Sequence, residues 1–144
     1  MRTMALDVGD KRMGVALSDP LGILATPHSI IERRGESDDV VAIVQIANQY
    51  QVKRIIIGLP LSLNGQVGEQ AEKVHVFATH LVKHLDIPVE LRDERMTTVS
   101  AKRLMHEGQN KKGKHIGRDD AAAAAVLLQS YLDEVAMQQN ANNE

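Results

Sequence analysis

An aspartate set into an apolar strand is the feature that most restricts what this chain can become. Residues 4–19 read MALDVGDKRMGVALSD. One apolar run ends in Asp7 and Gly9, the basic pair Lys11 and Arg12 follows, and Met13, Val15 and Leu17 close a second apolar run. Short apolar runs joined by Gly and Asp form a β-hairpin. A carboxylate in a buried strand costs several kcal/mol unless it is paired or binds a cation. Two readings follow. Asp7 caps the turn through its own side chain, or the strand holds it rigidly for a cation while the hairpin glycines admit a large polyanion.

The rest of the chain alternates between the strand and helix periods. Strands are expected at 2–8, 12–18 and 23–31, the third running around Pro27. Ser37 has the character of a helix N-cap, with Asp38 and Asp39 in the first turn. Val40, Ile43, Val44, Ala47 and Tyr50 then recur at helical spacing. The run Arg54–Leu59 (RIIIGL) is apolar and β-branched throughout, the mark of a central parallel strand buried on both faces. A loop at 60–68 with an Asn64-Gly65 turn precedes an amphipathic helix over about 69–85. A strand at 88–92 delivers Asp93 and Glu94 at its carboxyl end. Thr97 or Thr98 caps a further helix that ends near Gly108. The glycine-containing basic loop 109–118 leads into a last helix opened by Asp119 and Asp120. Residues 1–137 form one domain on this reading, and 138–144 are a frayed tail. The order β-β-β-α-β-α-β-α-α specifies an α/β domain: a mixed sheet, antiparallel hairpin strands first and parallel strands after, flanked by helices.

Three acidic points fall where such a sheet brings elements together: Asp7, the Asp93–Glu94 pair, and the Asp119–Asp120 pair. Carboxylates sharing a cleft raise one another's pKa unless a cation joins them. Oxygen ligands without Cys or His suit Mg²⁺ or Mn²⁺. Bland readings compete at each point. One of Asp119 and Asp120 is a natural N-cap, and Glu94 can pair with Arg92 or Arg95 on the surface. His80 and His84, four residues apart, lack a third ligand and are explained by an exposed helix face. The cations Lys111, Lys112, Lys114 and Arg118 form a loop that is either an ordinary solvated one or, since it precedes the Asp119–Asp120 pair, the phosphate-backbone contact that a nucleic-acid binder needs.

Composition narrows the classes. The formal net charge of −2 excludes a globally basic nucleic-acid binder but not a local basic patch. With three aromatic residues, Tyr50, Phe77 and Tyr131, a base-stacking platform is not expected. The absence of Cys excludes thiolate ligands and disulfides. No stretch reaches the apolar length of a membrane span and no signal peptide opens the chain, so a soluble cytoplasmic protein is expected.

Taken together, LDVGDKRMGVALSD, IIIGLPLSLNG, DERMTT from Asp93 and DAAAAAVLLQSYL from Asp120 resemble, in order, the signature blocks of the YqgF/RuvX family. This bacterial family of ribonuclease H-like fold is related to the RuvC junction resolvases. The resemblance spans about residues 3–133. It implies a ribonuclease H-like mixed sheet and a divalent-metal nuclease that processes the 5′ end of precursor 16S rRNA in ribosome biogenesis. Resolution of branched DNA at Holliday junctions is the alternative activity. Carried over by motif, the catalytic and metal-binding acids fall on Asp7, Glu94 and Asp120, with Asp93 and Asp119 less favoured. Lys11, Arg12 and the basic loop fall where phosphates would be held. The implied cofactor is Mg²⁺ or Mn²⁺. The implied partners are precursor rRNA or branched DNA, with ribosomal particles, and the protein is a monomer or homodimer.

Two rivals stand beside the nuclease. Asp-x-Gly before a hairpin also opens the sugar-kinase and actin-like ATPases, but these enclose ATP between two domains and 144 residues provide one. A non-catalytic RNA- or ribosome-binding module would keep the acids as structural relics.

Overall fold

The computed structural model describes residues 1–62, 64–96 and 119–142, and the side chains of Met96, Asp119 and Asp120 lie outside that description. Five strands form one mixed sheet: β1 (Thr3–Val8), β2 (Arg12–Ser18), β3 (Ala25–Glu32), β4 (Arg54–Leu59) and β5 (Val89–Asp93). Their spatial order is β3-β2-β1-β4-β5. The β1–β2 and β2–β3 pairs are antiparallel; β1–β4 and β4–β5 are parallel. The helices are α1 (Glu36–Gln49), α2 (Glu69–Val82) and α3 (Asp119–Asn142), with a short 3₁₀ turn at Glu94–Met96. No helix among the described residues is long and apolar enough to cross a membrane.

Strand alternation divides the core into two layers. Met4, Leu6, Val8, Met13, Val15, Leu17, Ile55 and Ile57 face α1 and α2, which contribute Val40, Ile43, Ala47, Val74, Phe77, Ala78 and Leu81. On the opposite face Ala5, Ala16, Ala25 and Ile56 meet Ala124, Ala125, Leu127, Leu128 and Leu132 of α3. Small residues on both sides let α3 lie close to the sheet. Ile55, Ile56 and Ile57 are fully buried, so β4 is covered on both faces, as its unbroken β-branched run requires. Asp7 alternates with Ala5 and therefore stands on the α3 side, at the carboxyl end of the central strand.

Several boundaries differ from the sequence reading for local reasons. Ser37 does not cap α1. Gly35 does, at φ 145°, a conformation suited to glycine, and its carbonyl accepts from the Asp39 N–H. Asp38 and Asp39 stand in the first turn, as expected, and Asp39 is also buried. It is 2% exposed, and its Oδ2 lies 2.8 Å from Arg33 Nε. Ile23 and Leu24, expected in the third strand, belong to the preceding turn. There the Asp19 carboxylate accepts from the Leu21, Ile23 and Leu24 N–H groups. The helix α3 continues through Asn142, where a tail from Gln138 was expected, with residues 138–142 exposed. The expected helix near 98–108 and the basic loop 109–118 lie outside the described residues.

Candidate active site

Parallel pairing sets the height of each acid in the sheet. Leu6 pairs with Ile57, so Asp7 stands level with Gly58; Gly58 pairs with Arg92 and Leu59 with Asp93. The chain leaves β5 and tightens into the 3₁₀ turn, which brings Glu94 back over β4. A Cβ placed on Gly58 would lie 2.6 Å from Glu94 Oε1 and 3.0 Å from its Cγ. Glycine at 58 is therefore the space in which Glu94 sits. Sequence reasoning passed over Gly58, although a lone glycine inside an apolar strand signals close approach of another group.

Asp7 and Glu94 share a hydrogen bond. Burial, then the Asp7 charge and that hydrogen bond, then Asp93, push the Glu94 carboxyl from 4.5 up to about 7. Below about pH 7 the Glu94 carboxyl keeps its proton, which spares the pair a second negative charge. Asp93 behaves oppositely. Arg95 grips it through Nε at 3.0 Å and Nη2 at 2.7 Å, and the Arg95 N–H donates to its Oδ1 at 2.9 Å. The Arg95 side chain is the main reason the Asp93 carboxyl is held below the usual range. Adjacent acids in one motif are thereby separated into a partner of arginine and a partner of Asp7. Arg95 Nη1 also donates to the Ser62 carbonyl at 3.3 Å, tying the loop after β4 to the site's rim.

The remaining predicted residues divide clearly. Asp119 and Asp120 open α3, the helix that covers the Asp7 face of the sheet. Lys11 lies in the exposed β1–β2 turn and Arg12 opens β2, also exposed, with its Nε 3.3 Å from Glu32 Oε1 across the strand pair. Gly9 serves this turn directly: its N–H donates to the Arg12 carbonyl, and a Cβ would lie 2.7 Å from that oxygen. Lys111, Lys112, Lys114 and Arg118 lie outside the described residues. Among the described residues no three or more His, Cys, Asp or Glu side chains form a metal-binding group. His80 Nε2 instead lies 3.3 Å from Glu36, and His84 Nδ1 lies 3.0 Å from the His80 carbonyl.

Two expectations follow from this geometry. Gly58→Ala should leave the fold intact, because the obstructing atoms are the end of a flexible side chain. It should displace Glu94 and lower any metal-dependent turnover by about 10- to 100-fold, the cost typical of an ångström-scale misplacement. Paired melting curves and single-turnover kinetics check this. The second concerns pH. The metal-free folded state keeps the Glu94 proton that the unfolded chain releases near 4.5. This group's contribution is therefore most favourable below that value and is lost as pH rises through about 7. Glu94→Gln should gain stability relative to wild type over that window, measured by urea titrations at successive pH values.

The fold itself defines a class. The structure superimposes on Thermus thermophilus RuvC bound to a Holliday junction substrate with TM-score 0.63 at 8% identity, covering 93% of this chain and 96% of that one. It superimposes on the fowlpox virus Holliday junction resolvase with TM-score 0.57 at 15% identity, covering 94% and 99%. This is a ribonuclease H-like fold. At the level of sequence, residues 1–134 match the RuvX family, described as Holliday junction resolvase. A relative from Desulforamulus reducens is 44% identical over 92% of this chain and 97% of its own. One from Moorella thermoacetica is 43% identical over 94% and 96%. Both carry the name "Putative pre-16S rRNA nuclease". The chain belongs to the RuvX family.

Proposed function

We propose that this chain is a divalent-metal-dependent nuclease that trims the 5′ end of precursor 16S rRNA in the cytoplasm, with Asp7, Glu94 and Asp120 as the metal-binding acids. The observation that carries this reading is the Asp7–Glu94 pair, two half-buried carboxylates brought together at the carboxyl end of the sheet, where a cation can replace the proton that Glu94 holds. An all-oxygen donor set on rigid elements fits Mg²⁺ or Mn²⁺. Such an ion, when bound, makes water a competent nucleophile and offsets charge on the leaving oxygen. The chain's own residues do the rest. Asp7 is fixed by the central strand. Glu94 occupies the space left by Gly58 and gives up its proton when the cation enters. Arg95 withdraws Asp93 from competition. Lys11 and Arg12, with Lys111, Lys112, Lys114 and Arg118, hold backbone phosphates beside the acids. The precursor-rRNA substrate is supported by the names of relatives 42–44% identical over most of their length.

Resolution of four-way DNA junctions is the second reading, favoured by the description of the matching family. It requires a symmetric dimer that presents two sites to opposed strands. The deciding experiment incubates the protein with a precursor-rRNA 5′ leader and with a four-way DNA junction, in Mg²⁺, Mn²⁺ or EDTA, with and without ribosomal particles. Metal-dependent trimming of the leader supports rRNA processing. Paired symmetric cuts in the junction move the function to resolution. RNA binding without cleavage under every condition identifies a binding module.

A further inference from the structure

The first part of the contact between α3 and the sheet is made by small residues, with Leu127, Leu128 and Leu132 adding bulk further along. Ala121 through Ala125 form an unbroken alanine run, and the buried Ala124 and Ala125 meet Ala5, Ala16 and Ala25 on the strands. Helices find their register when side-chain ridges enter grooves. Alanine against alanine presents low ridges, so sliding or rotating α3 meets little steric resistance in this half. Yet α3 begins at Asp119 and Asp120, and a shift of one turn moves those residues by about 5 Å.

Polar contacts supply what the alanines do not. Gln129 is 5% exposed and uses both ends of its amide. Its Oε1 accepts from the Ala25 N–H at 2.9 Å, and its Nε2 donates to the Ile23 carbonyl at 3.1 Å and to Asp133 Oδ1 at 2.9 Å. The turn it holds is itself stiff, because the Asp19 carboxylate accepts three backbone N–H groups there. Arg92 of β5 makes a second attachment. Its Nη1 lies 2.6 Å from Glu134 Oε2, and its guanidinium stands 5.8 Å from the Tyr131 ring centroid. Arg92 is two residues before Glu94.

We infer that Gln129, seconded by the Arg92–Glu134 pair, is a positioning residue that sets the register of α3 and thereby the distance of Asp120 from Asp7 and Glu94. Its functional half rests on Asp120 being a metal ligand, as proposed above. Gln129 contacts neither Asp7 nor Glu94; it acts by fixing α3 to the turn before β3, beside the leucines that pack the same helix on the sheet.

The test uses the absence of native cysteine. Nitroxide labels on Lys53→Cys and Gln139→Cys, both exposed sites, report the α3-to-sheet distance, and Mn²⁺ titrations on unlabelled protein report the site. Gln129→Leu and Arg92→Met are compared with wild type. The control is Val40→Ala, which lowers stability from the opposite face of the sheet. The expected result for Gln129→Leu is a distance distribution shifted or broadened by about 5 Å and Mn²⁺ affinity weakened about 10-fold or more. Arg92→Met should follow in the same direction, while Val40→Ala changes neither reading. An unchanged distance in Gln129→Leu overturns the inference. A shifted distance with unchanged Mn²⁺ affinity retains the register role and overturns the role of Asp120. Wild-type protein that binds no Mn²⁺ overturns the metal-site reading itself, and the distance measurement still decides the register.

Discussion

Asp7→Asn is expected to reduce metal-dependent cleavage by about 10³-fold or more, equivalent to roughly 4 kcal/mol of transition-state stabilisation. The substitution keeps the shape of the side chain and removes its charge, so the strand should remain intact. The same change removes one of the charges that raise the Glu94 carboxyl to about 7. Metal-free Asp7→Asn should therefore be at least as stable as wild type at pH 8, where wild type carries two facing carboxylates. Lost turnover with retained or increased stability is the signature of a site residue. Parallel loss of both would place Asp7 in the fold's support instead. Rapid-quench kinetics on a labelled RNA leader and urea denaturation at pH 8 give the two numbers.

The second large effect is on stability. Arg33 joins three parts of the molecule. Its Nε pairs with Asp39 of α1 at 2.8 Å, its Nη1 donates to the Gly9 carbonyl at 2.9 Å, and its guanidinium stands 5.3 Å from the Phe77 ring centroid on α2. Its backbone N–H donates to the Lys11 carbonyl at 2.9 Å. Asp39 is 2% exposed, so Arg33→Leu leaves a buried carboxylate whose remaining hydrogen bond among the described residues is from the Arg34 N–H at 3.1 Å. Removing one partner of a buried pair costs about 3–5 kcal/mol. In a domain of this length that corresponds to a fall of roughly 10 °C in melting temperature. Arg33→Leu/Asp39→Leu should recover much of the loss, because the stranded charge is then absent. Calorimetry of the three variants checks this.

These two residues also mark what was legible in the chain. Asp7 was visible because a charge interrupts an apolar run, Met4–Val8, and no ordinary strand tolerates that without a reason. Glu94 was visible as one of two acids closing a strand. Choosing between Asp93 and Glu94 depended on the 3₁₀ turn and on Arg95, which involve geometry rather than composition. Asp39 was placed in the first turn of α1, where it stands, but its pairing was not foreseen, because its partner, Arg33, lies in a loop six residues earlier. Nothing in the pattern says that Arg33 folds inward over Phe77. Ser37 had the right chemistry for a cap, but Gly35 took the position through a backbone angle that the Ser37 side chain does not influence. The mixed sheet and the interior place of β4 followed from periodicity, because burial on two faces is written directly into strand composition. The packing role of Gln129 was not readable, since a polar residue in an amphipathic helix reads by default as solvent-facing.

The most direct test of the site is the proton count on metal binding. Calorimetric Mn²⁺ titrations at pH 7, repeated in buffers of different ionisation enthalpy, measure protons released per ion bound. With the Glu94 carboxyl at about 7 in the metal-free protein, about half a proton should be released at pH 7 and almost none at pH 9. The release should vanish in Glu94→Gln. Mn²⁺ binding with no proton release at pH 7, or release that persists in Glu94→Gln, would contradict the assignment of the Asp7–Glu94 pair as the metal site.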